Sequence, residues 1–213
     1  PVGSGKSTLL NLIPRLYNPP RGTLLVDGVD ILDWSLPALR RVVAMAPQET
    51  FLFSESIRAN VNFALDRELD EEEVQHLVRI AALEEDISQF PQRLDTLLGE
   101  RGINLSGGQK QRTSISRALA AGSPILLLDD CFSSVDTGTE EKILRGLRSH
   151  TGNKTTLTVS HRISTIKDSD LIVVLERGRI IQRGTHAELV RQDGYYAALH
   201  EKQLLQERIE KLS

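Results

Sequence analysis

Cysteine is nearly absent from this chain, as are long apolar runs and any excess of one charge. A single cysteine, Cys131, among 213 residues excludes an intrachain disulfide and fits a reducing compartment. The longest unbroken apolar runs, such as Leu171 to Leu175, are five residues, far short of the roughly 18 that a spanning helix needs. There are 26 Lys+Arg against 29 Asp+Glu, for a net charge of −3 and an isoelectric point near 6.0. Without a basic excess the chain is not expected to grip a polynucleotide, so no nucleic acid is expected as a partner. Aromatics are only 4%, beside 39% hydrophobic and 26% charged residues; this is too apolar for disorder and too polar for a membrane span. There is no signal peptide, repeat or low-complexity linker, and the first residue is Pro1 rather than Met. The chain reads as cut from something longer. Its length is about one and a half typical domains, enough to bury a real core.

Strand-like runs at Thr23–Asp27, Val42–Ala46, Ile125–Asp129, Thr155–Val159, Leu171–Leu175 and Arg179–Gln182 are separated by helical stretches at Lys6–Leu16, Gly107–Ala121 and Gly138–Ser149. Several are Val/Ile/Leu-rich without alternation, the pattern of strands covered on both faces in a parallel sheet. Strand–helix alternation argues for an α/β doubly wound sheet. From Phe51 to Ala121 the signal is helical instead. It includes an acid-rich start at Leu69–Glu73 leading into Val74–Ala82, and reads as a helical subdomain inserted into the core. Tyr195–Leu212 reads as a solvated surface helix.

The opening Pro1-Val2-Gly3-Ser4-Gly5-Lys6-Ser7-Thr8 fits the phosphate-binding loop G-x-x-x-x-G-K-[ST], its first Gly falling just before residue 1. Glycines let backbone N–H groups turn inward around phosphate oxygens, and the following helix points its N-terminus at the same anion. Lys6 can reach the β- and γ-phosphates and the Ser7 hydroxyl can ligate Mg²⁺. The plainer alternative is a Gly-rich turn capping a helix. Ile125–Asp129 supplies the second half of such a site: a buried strand ending in a carboxylate, where an open α/β sheet binds its ligands. Asp129 there would hold Mg²⁺ opposite Ser7; otherwise it caps the end of a core strand.

Leu105-Ser106-Gly107-Gly108-Gln109 adds a serine, two glycines and a helix start, a second anion nest about a hundred residues from the first. With the two motifs above it resembles the signature of ATP-binding cassette proteins. The resemblance implies a P-loop NTPase, RecA-like fold with a mostly parallel sheet and an inserted helical subdomain, here lacking its N-terminal strands. Residues 1–48 and 122–198 would form the α/β core, 49–121 the helical subdomain and 199–213 a C-terminal helix. It also implies a head-to-tail dimer in which ATP with Mg²⁺ lies between the loop of one chain and the nest of the other. Val2 to Thr8 would contact nucleotide from one side, and Ser106, Gly107, Gly108 and Gln109 from the other.

Further matches follow in the family's order. Gln48 resembles the glutamine that senses Mg²⁺ and the attacking water, His161 the histidine that contacts the γ-phosphate, and Ser133-Ser134-Val135-Asp136 the loop whose Asp136 reaches across the dimer. Leu52–Arg58, Thr96–Gly102 and Gly178–His186 resemble stretches of exporter cassettes, the second being the segment that touches the membrane domain. The resemblance covers essentially the whole chain apart from the family's N-terminal portion. It implies a transmembrane domain as partner and a place at the cytoplasmic face of the cell membrane.

One position departs from the family. After the Mg²⁺ aspartate a Glu normally polarises the attacking water, and here Asp130 stands instead. Its carboxylate retreats by roughly 1 Å, a misplacement that can cost on the order of 10²-fold in rate. Asp130, with Gln48 and His161, is therefore the expected catalytic set, with slow hydrolysis at this chain's own loop. The intact signature would serve a partner cassette carrying the Glu, in a heterodimer like those of multidrug exporters. The rival is a cassette that only holds ATP while its partner hydrolyses. A chromosome-maintenance ATPase is disfavoured, because only 56 residues separate Gln48 from Leu105, where a long coiled coil would be needed.

Overall fold

The computed structural model describes residues 3–63, 65–152 and 154–210. In chain order these form α1 (Lys6–Leu12), β1 (Leu25–Val26), β2 (Val29–Asp30), α2 (Leu36–Val42), β3 (Val43–Ala46), α3 (Ile57–Asn62), α4 (Glu71–Ile80), α5 (Glu84–Gln89), α6 (Gly107–Ala120), β4 (Ile125–Asp129), α7 (Thr137–Thr151), β5 (Thr155–Val159), α8 (Ile163–Ile166), β6 (Ile172–Glu176), β7 (Arg179–Gly184), α9 (His186–Arg191) and α10 (Tyr195–Glu210). Two compact units emerge, Leu10–Thr158 and the pair Pro1–Leu9 with Val159–Ser213. Among the described residues no helix is long and apolar enough to cross a membrane.

In the larger unit β3, β4 and β5 form one sheet in that order. β3 and β4 run parallel, with Val43 opposite Ile125 and Ala46 opposite Leu128. The non-alternating apolar run of β4 has its reason here: Leu126, Leu127 and Leu128 are all buried. Leu126 and Leu128 join a core with Ala44, Ala46, Ile115, Leu119, Ile143 and Leu147. Each such Leu or Ile contributes about 1.5–3 kcal/mol by leaving water. β5 is only half-buried, as its Thr-rich sequence allows.

The helices of this unit start where local chemistry dictates. Asp70 and Glu73 close a capping box on α4, and three acidic residues occupy the helix's first turn. Asp136 caps α7, its Oδ1 accepting from Thr139 N at 2.9 Å. Ser35 caps α2 with Pro37 just inside it. That helix absorbs Val42, which the apolar run assigns to a strand. Leu25–Val26 and Val29–Asp30 make a small hairpin turned by Asp27-Gly28, both at positive φ.

In the smaller unit β6 and β7 pair antiparallel, with an irregularity at Val174/Leu175. Ile163, Ile172, Val174, Leu189 and Tyr196 form its core. Tyr196 corrects the reading of Tyr195–Leu212 as wholly solvated. Its ring is buried at the start of α10, its hydroxyl lies 2.8 Å from His186 Nδ1, and its N–H donates to Gln182 Oε1 at 3.0 Å. The later turns of α10 stay largely exposed, with Leu204, Leu205 and Ile209 open; positions 211–213 lie outside the described residues. α1 ends at Leu12, four residues short of the expected stop.

Candidate functional site

Gly3 and Gly5 adopt φ of +71° and +93°. A Cβ on either would meet nothing within 4 Å, so it is the left-handed backbone, not crowding, that requires glycine here. Between them Ser4 is buried, its carbonyl accepting from Gly178 N at 3.1 Å and its hydroxyl from Lys6 Nζ at 3.2 Å. Helical bonding starts at once, Leu9 N donating to Gly5 O at 2.9 Å. Lys6 and Ser7 are half-buried and Thr8 exposed. The loop thus combines turned backbone, a helix start and a lysine folded over it, the donor set an anion needs. Val2, read with this loop, lies outside the described residues.

In the larger unit Asp129 ends β4 at 3% exposure. Asp130 follows with φ +44°, a left-handed turn that Asp tolerates better than most residues. Cys131 is buried, and burial pushes its thiol far above the usual range; it is inert packing rather than a redox centre. Gln48 lies exposed just beyond β3. The Ser7 hydroxyl, Asp129 carboxylate and Gln48 amide are all hard oxygen donors of the kind Mg²⁺ accepts. Ser7 belongs to the smaller unit, whereas Asp129 and Gln48 belong to the larger. Among the described residues no cluster of three or more His, Cys, Asp or Glu could hold a metal.

The signature residues are brought together with Ser133–Asp136. Ser106 caps α6: its Oγ accepts from Gln109 N at 3.2 Å, while Gln109 Oε1 accepts from Ser106 N at 2.9 Å. Gln109 is further tied by its Nε2 to Asp86 Oδ1 at 2.8 Å. In this arrangement it positions Ser106 rather than reaching outward. The two glycines have a packing role besides the expected nest. A Cβ on Gly108 would lie 2.8 Å from Ser134 O, and one on Gly107 3.3 Å from the Ser134 side chain. Gln111, buried one turn along, fixes the same loop, donating from Nε2 to Ser133 Oγ at 2.8 Å and accepting from Ser134 N at 3.0 Å. Asp136 is exposed, and the Thr139 N–H holds its carboxyl below the ordinary range.

His161 is exposed in the smaller unit, and its carbonyl accepts from Gln203 Nε2 at 2.8 Å. The same Gln203 accepts from Ile163 N at 2.8 Å, so α10 clamps the loop that carries the histidine. Gln111, Asp86 and Gln203 are not legible as functional in the sequence. Only the polar spacing Gln109–Gln111–Arg112 on an otherwise buried helix hints that its inner face has hydrogen-bonding partners.

A family model described as ABC transporter matches residues 1–133. The chain belongs to the ABC transporter family. This cassette is 44% identical over 205 residues to an ATP-dependent lipid A-core flippase of Aromatoleum aromaticum, covering 96% of this chain and 34% of that protein. It is equally 44% identical over 198 residues to a flippase of the same name from Pseudomonas aeruginosa, covering 93% and 33%. Among solved structures, a bacterial Atm1-family ABC exporter with ATP bound matches it with a TM-score of 0.91 at 42% identity, covering 96% of this chain and 36% of that one. The cassette therefore spans about a third of the length of these relatives. The expected P-loop α/β fold with a parallel sheet is the fold observed.

Proposed function

We propose that this cassette binds ATP with Mg²⁺ on the loop Gly3–Thr8 and hydrolyses it to power export by a membrane transporter at the cytoplasmic face of the membrane. The observation that carries this reading is the signature helix start, where Ser106 is capped by Gln109 and braced against Ser133–Ser134 by Gln111. Such a start presents oriented donors to an anion. Since the loop Gly3–Thr8 is itself an anion site, the economical arrangement is a head-to-tail pair, with Ser106, Gly107 and Gly108 of one copy facing the nucleotide on the other. Bound Mg²⁺ would neutralise phosphate charge. Lys6 would hold the β- and γ-phosphates, Ser7, Asp129 and Gln48 would present oxygens to the ion, and His161 would contact the γ-phosphate. Asp130 would orient water, and Asp136 would reach across the pair. Residues 49–121 would act as the helical subdomain, with Thr96–Gly102 meeting the membrane domain. The flippase relatives point to a glycolipid as the exported substrate.

Asp130 favours a finer reading, in which hydrolysis at this chain's own loop is slow and a partner cassette supplies a Glu. Its limiting form is a cassette that only holds ATP while its partner performs the hydrolysis. Calorimetric titration of the full-length protein with MgATP, beside Lys6→Ala and Ser106→Ala, tests the main reading. Lys6→Ala should weaken binding, and Ser106→Ala should spare binding while abolishing turnover. ATP binding unaffected by Lys6→Ala would overturn it. Ordinary cassette turnover by a homodimer, unchanged by Asp130→Glu, would remove the slow-site and heterodimer readings and leave the ATPase reading standing.

A further inference from the structure

The short helix α8 takes its cap from a distant part of the chain. Arg162 stands at its N-cap, and arginine carries no side-chain acceptor to offer the first turn. Gln203 of α10, 40 positions on, supplies one: its Oε1 accepts from Ile163 N at 2.8 Å. The other end of the same amide, Nε2, donates to His161 O at 2.8 Å. A donor and an acceptor side by side on one plane are what an amide offers; a carboxylate has no donor and an ammonium no acceptor. The segment is also braced from within, Ser160 Oγ accepting from Arg162 N at 2.9 Å and lying 3.1 Å from Thr165 Oγ1.

The sequence of α10 delivers that amide to its place. Tyr196, Leu199 and Gln203 follow at spacings of three and four, which puts them on one face of the helix. Tyr196 is buried and tied to His186 and Gln182, and Leu199 packs on the same core. Gln203 comes two turns, about 10 Å, after Tyr196. Among the described residues of α10 beyond His200, only Gln203 is half-buried and the rest are exposed. Leu204 and Leu205 are left outside while the inward place goes to an amide. Both of its bonds reach the loop 161–163.

Those bonds are to backbone, and backbone aims side chains. With the carbonyl of His161 held, the peptide plane that follows it is fixed, and with it the direction in which the exposed ring leaves the chain. We propose that Gln203 is the positioning residue that aims His161 at the γ-phosphate. This deepens the proposed function, on which it rests: there His161 contacts nucleotide held by the loop Gly3–Thr8, which belongs to the same compact unit. An error of about 1 Å in such a contact can cost on the order of 10²-fold in rate.

Two experiments on the full-length transporter separate this inference from that reading. The first needs no nucleotide: amide hydrogen exchange over 160–166 is compared in the unaltered protein, Gln203→Ala, Gln203→Glu and Gln206→Ala. Gln206 is exposed on the same helix. Gln203→Ala removes the acceptor and should speed exchange at Ile163 by about threefold or more. Gln203→Glu keeps the acceptor, so it should leave that exchange unchanged, as should Gln206→Ala. Unaltered exchange in Gln203→Ala overturns the inference. The second titrates ADP and the β,γ-imido analogue of ATP, each with Mg²⁺. Gln203→Glu sets a carboxylate against the His161 carbonyl, and should weaken the triphosphate by about fivefold or more with ADP affinity held. His161→Ala should do the same, and the two combined should lose no more than either alone. An equal loss for both nucleotides shows a merely structural glutamine and overturns the inference, as does full affinity for both. If the unaltered transporter binds neither, the proposed function fails while the exchange experiment still judges the clamp.

Discussion

Replacing Gly108 by alanine tests the contact between the signature helix and the loop behind it. A Cβ there would lie 2.8 Å from the carbonyl oxygen of Ser134 and 3.6 Å from its carbon. That is backbone, which cannot swing aside as a side chain can, so α6 and the loop must separate by several tenths of an ångström. Overpacking of this kind costs about 1–3 kcal/mol, and alanine's better helix propensity returns at most about 1 kcal/mol. From the middle of that range the net is a destabilisation of roughly 1 kcal/mol, or a fall in melting temperature of about 2–4 °C for a chain of this size. Gly138→Ala is the matched control, since a Cβ in the first turn of α7 meets only Asp136 Oδ1 at 3.4 Å; it should be neutral or slightly stabilising. Differential scanning fluorimetry of the two variants decides. Should Gly108→Ala melt at or above the temperature of Gly138→Ala, the close approach and the bracing drawn from it are refuted.

Gln111→Ala strands the Ser133 hydroxyl and Ser134 N–H that the side chain now serves, and should cost about 1–3 kcal/mol in urea unfolding; a change under about 0.5 kcal/mol would contradict this. Asp130→Glu restores the longer side chain and should raise single-site ATP turnover by on the order of 10–100-fold in rapid-quench measurements. No rise would show that reach is not limiting. Glu73 is held at a pKa of about 2, against 4.5 normally, first by Arg67 and then by the Asp70 N–H. Because the folded form binds fewer protons, this contribution is complete above pH 4.5 and is lost as pH falls towards 2. The melting temperature of Glu73→Gln should accordingly decline less steeply across that window, and an unchanged slope would contradict the assignment.

Where local chemistry sets the structure, the sequence alone is enough to read it. The run Ile125–Asp129 is a buried strand because every side chain in it is apolar until the final carboxylate, and Asp70 with Glu73 announces α4. Two further elements carried readable signals: Asp27-Gly28 for the hairpin, and Thr185 with Glu188 for the capping box of α9. Val42 misleads because a β-branched residue at the end of an apolar run looks like strand until Ser35 and Pro37 are weighed as a helix start. The site shows the same divide. Gly3, Lys6, Ser7, Asp129 and Ser106 stand out by type and spacing, because the proposed phosphate and Mg²⁺ site would demand such residues. Gln111 and Gln203 do not, because their partners lie 22 and 42 positions away along the chain. Nor does a motif reveal that Gly108 is glycine partly to admit the Ser134 backbone.

The central claim is that triphosphate is gripped in trans, and the structure of the full-length assembly with a non-hydrolysable ATP analogue measures it directly. Ser106 Oγ should lie within about 2.6–3.2 Å of a γ-phosphate oxygen on a nucleotide held by the Lys6 loop of the other subunit. A γ-phosphate surrounded by groups from one chain alone, with Ser106 turned to solvent, would contradict it.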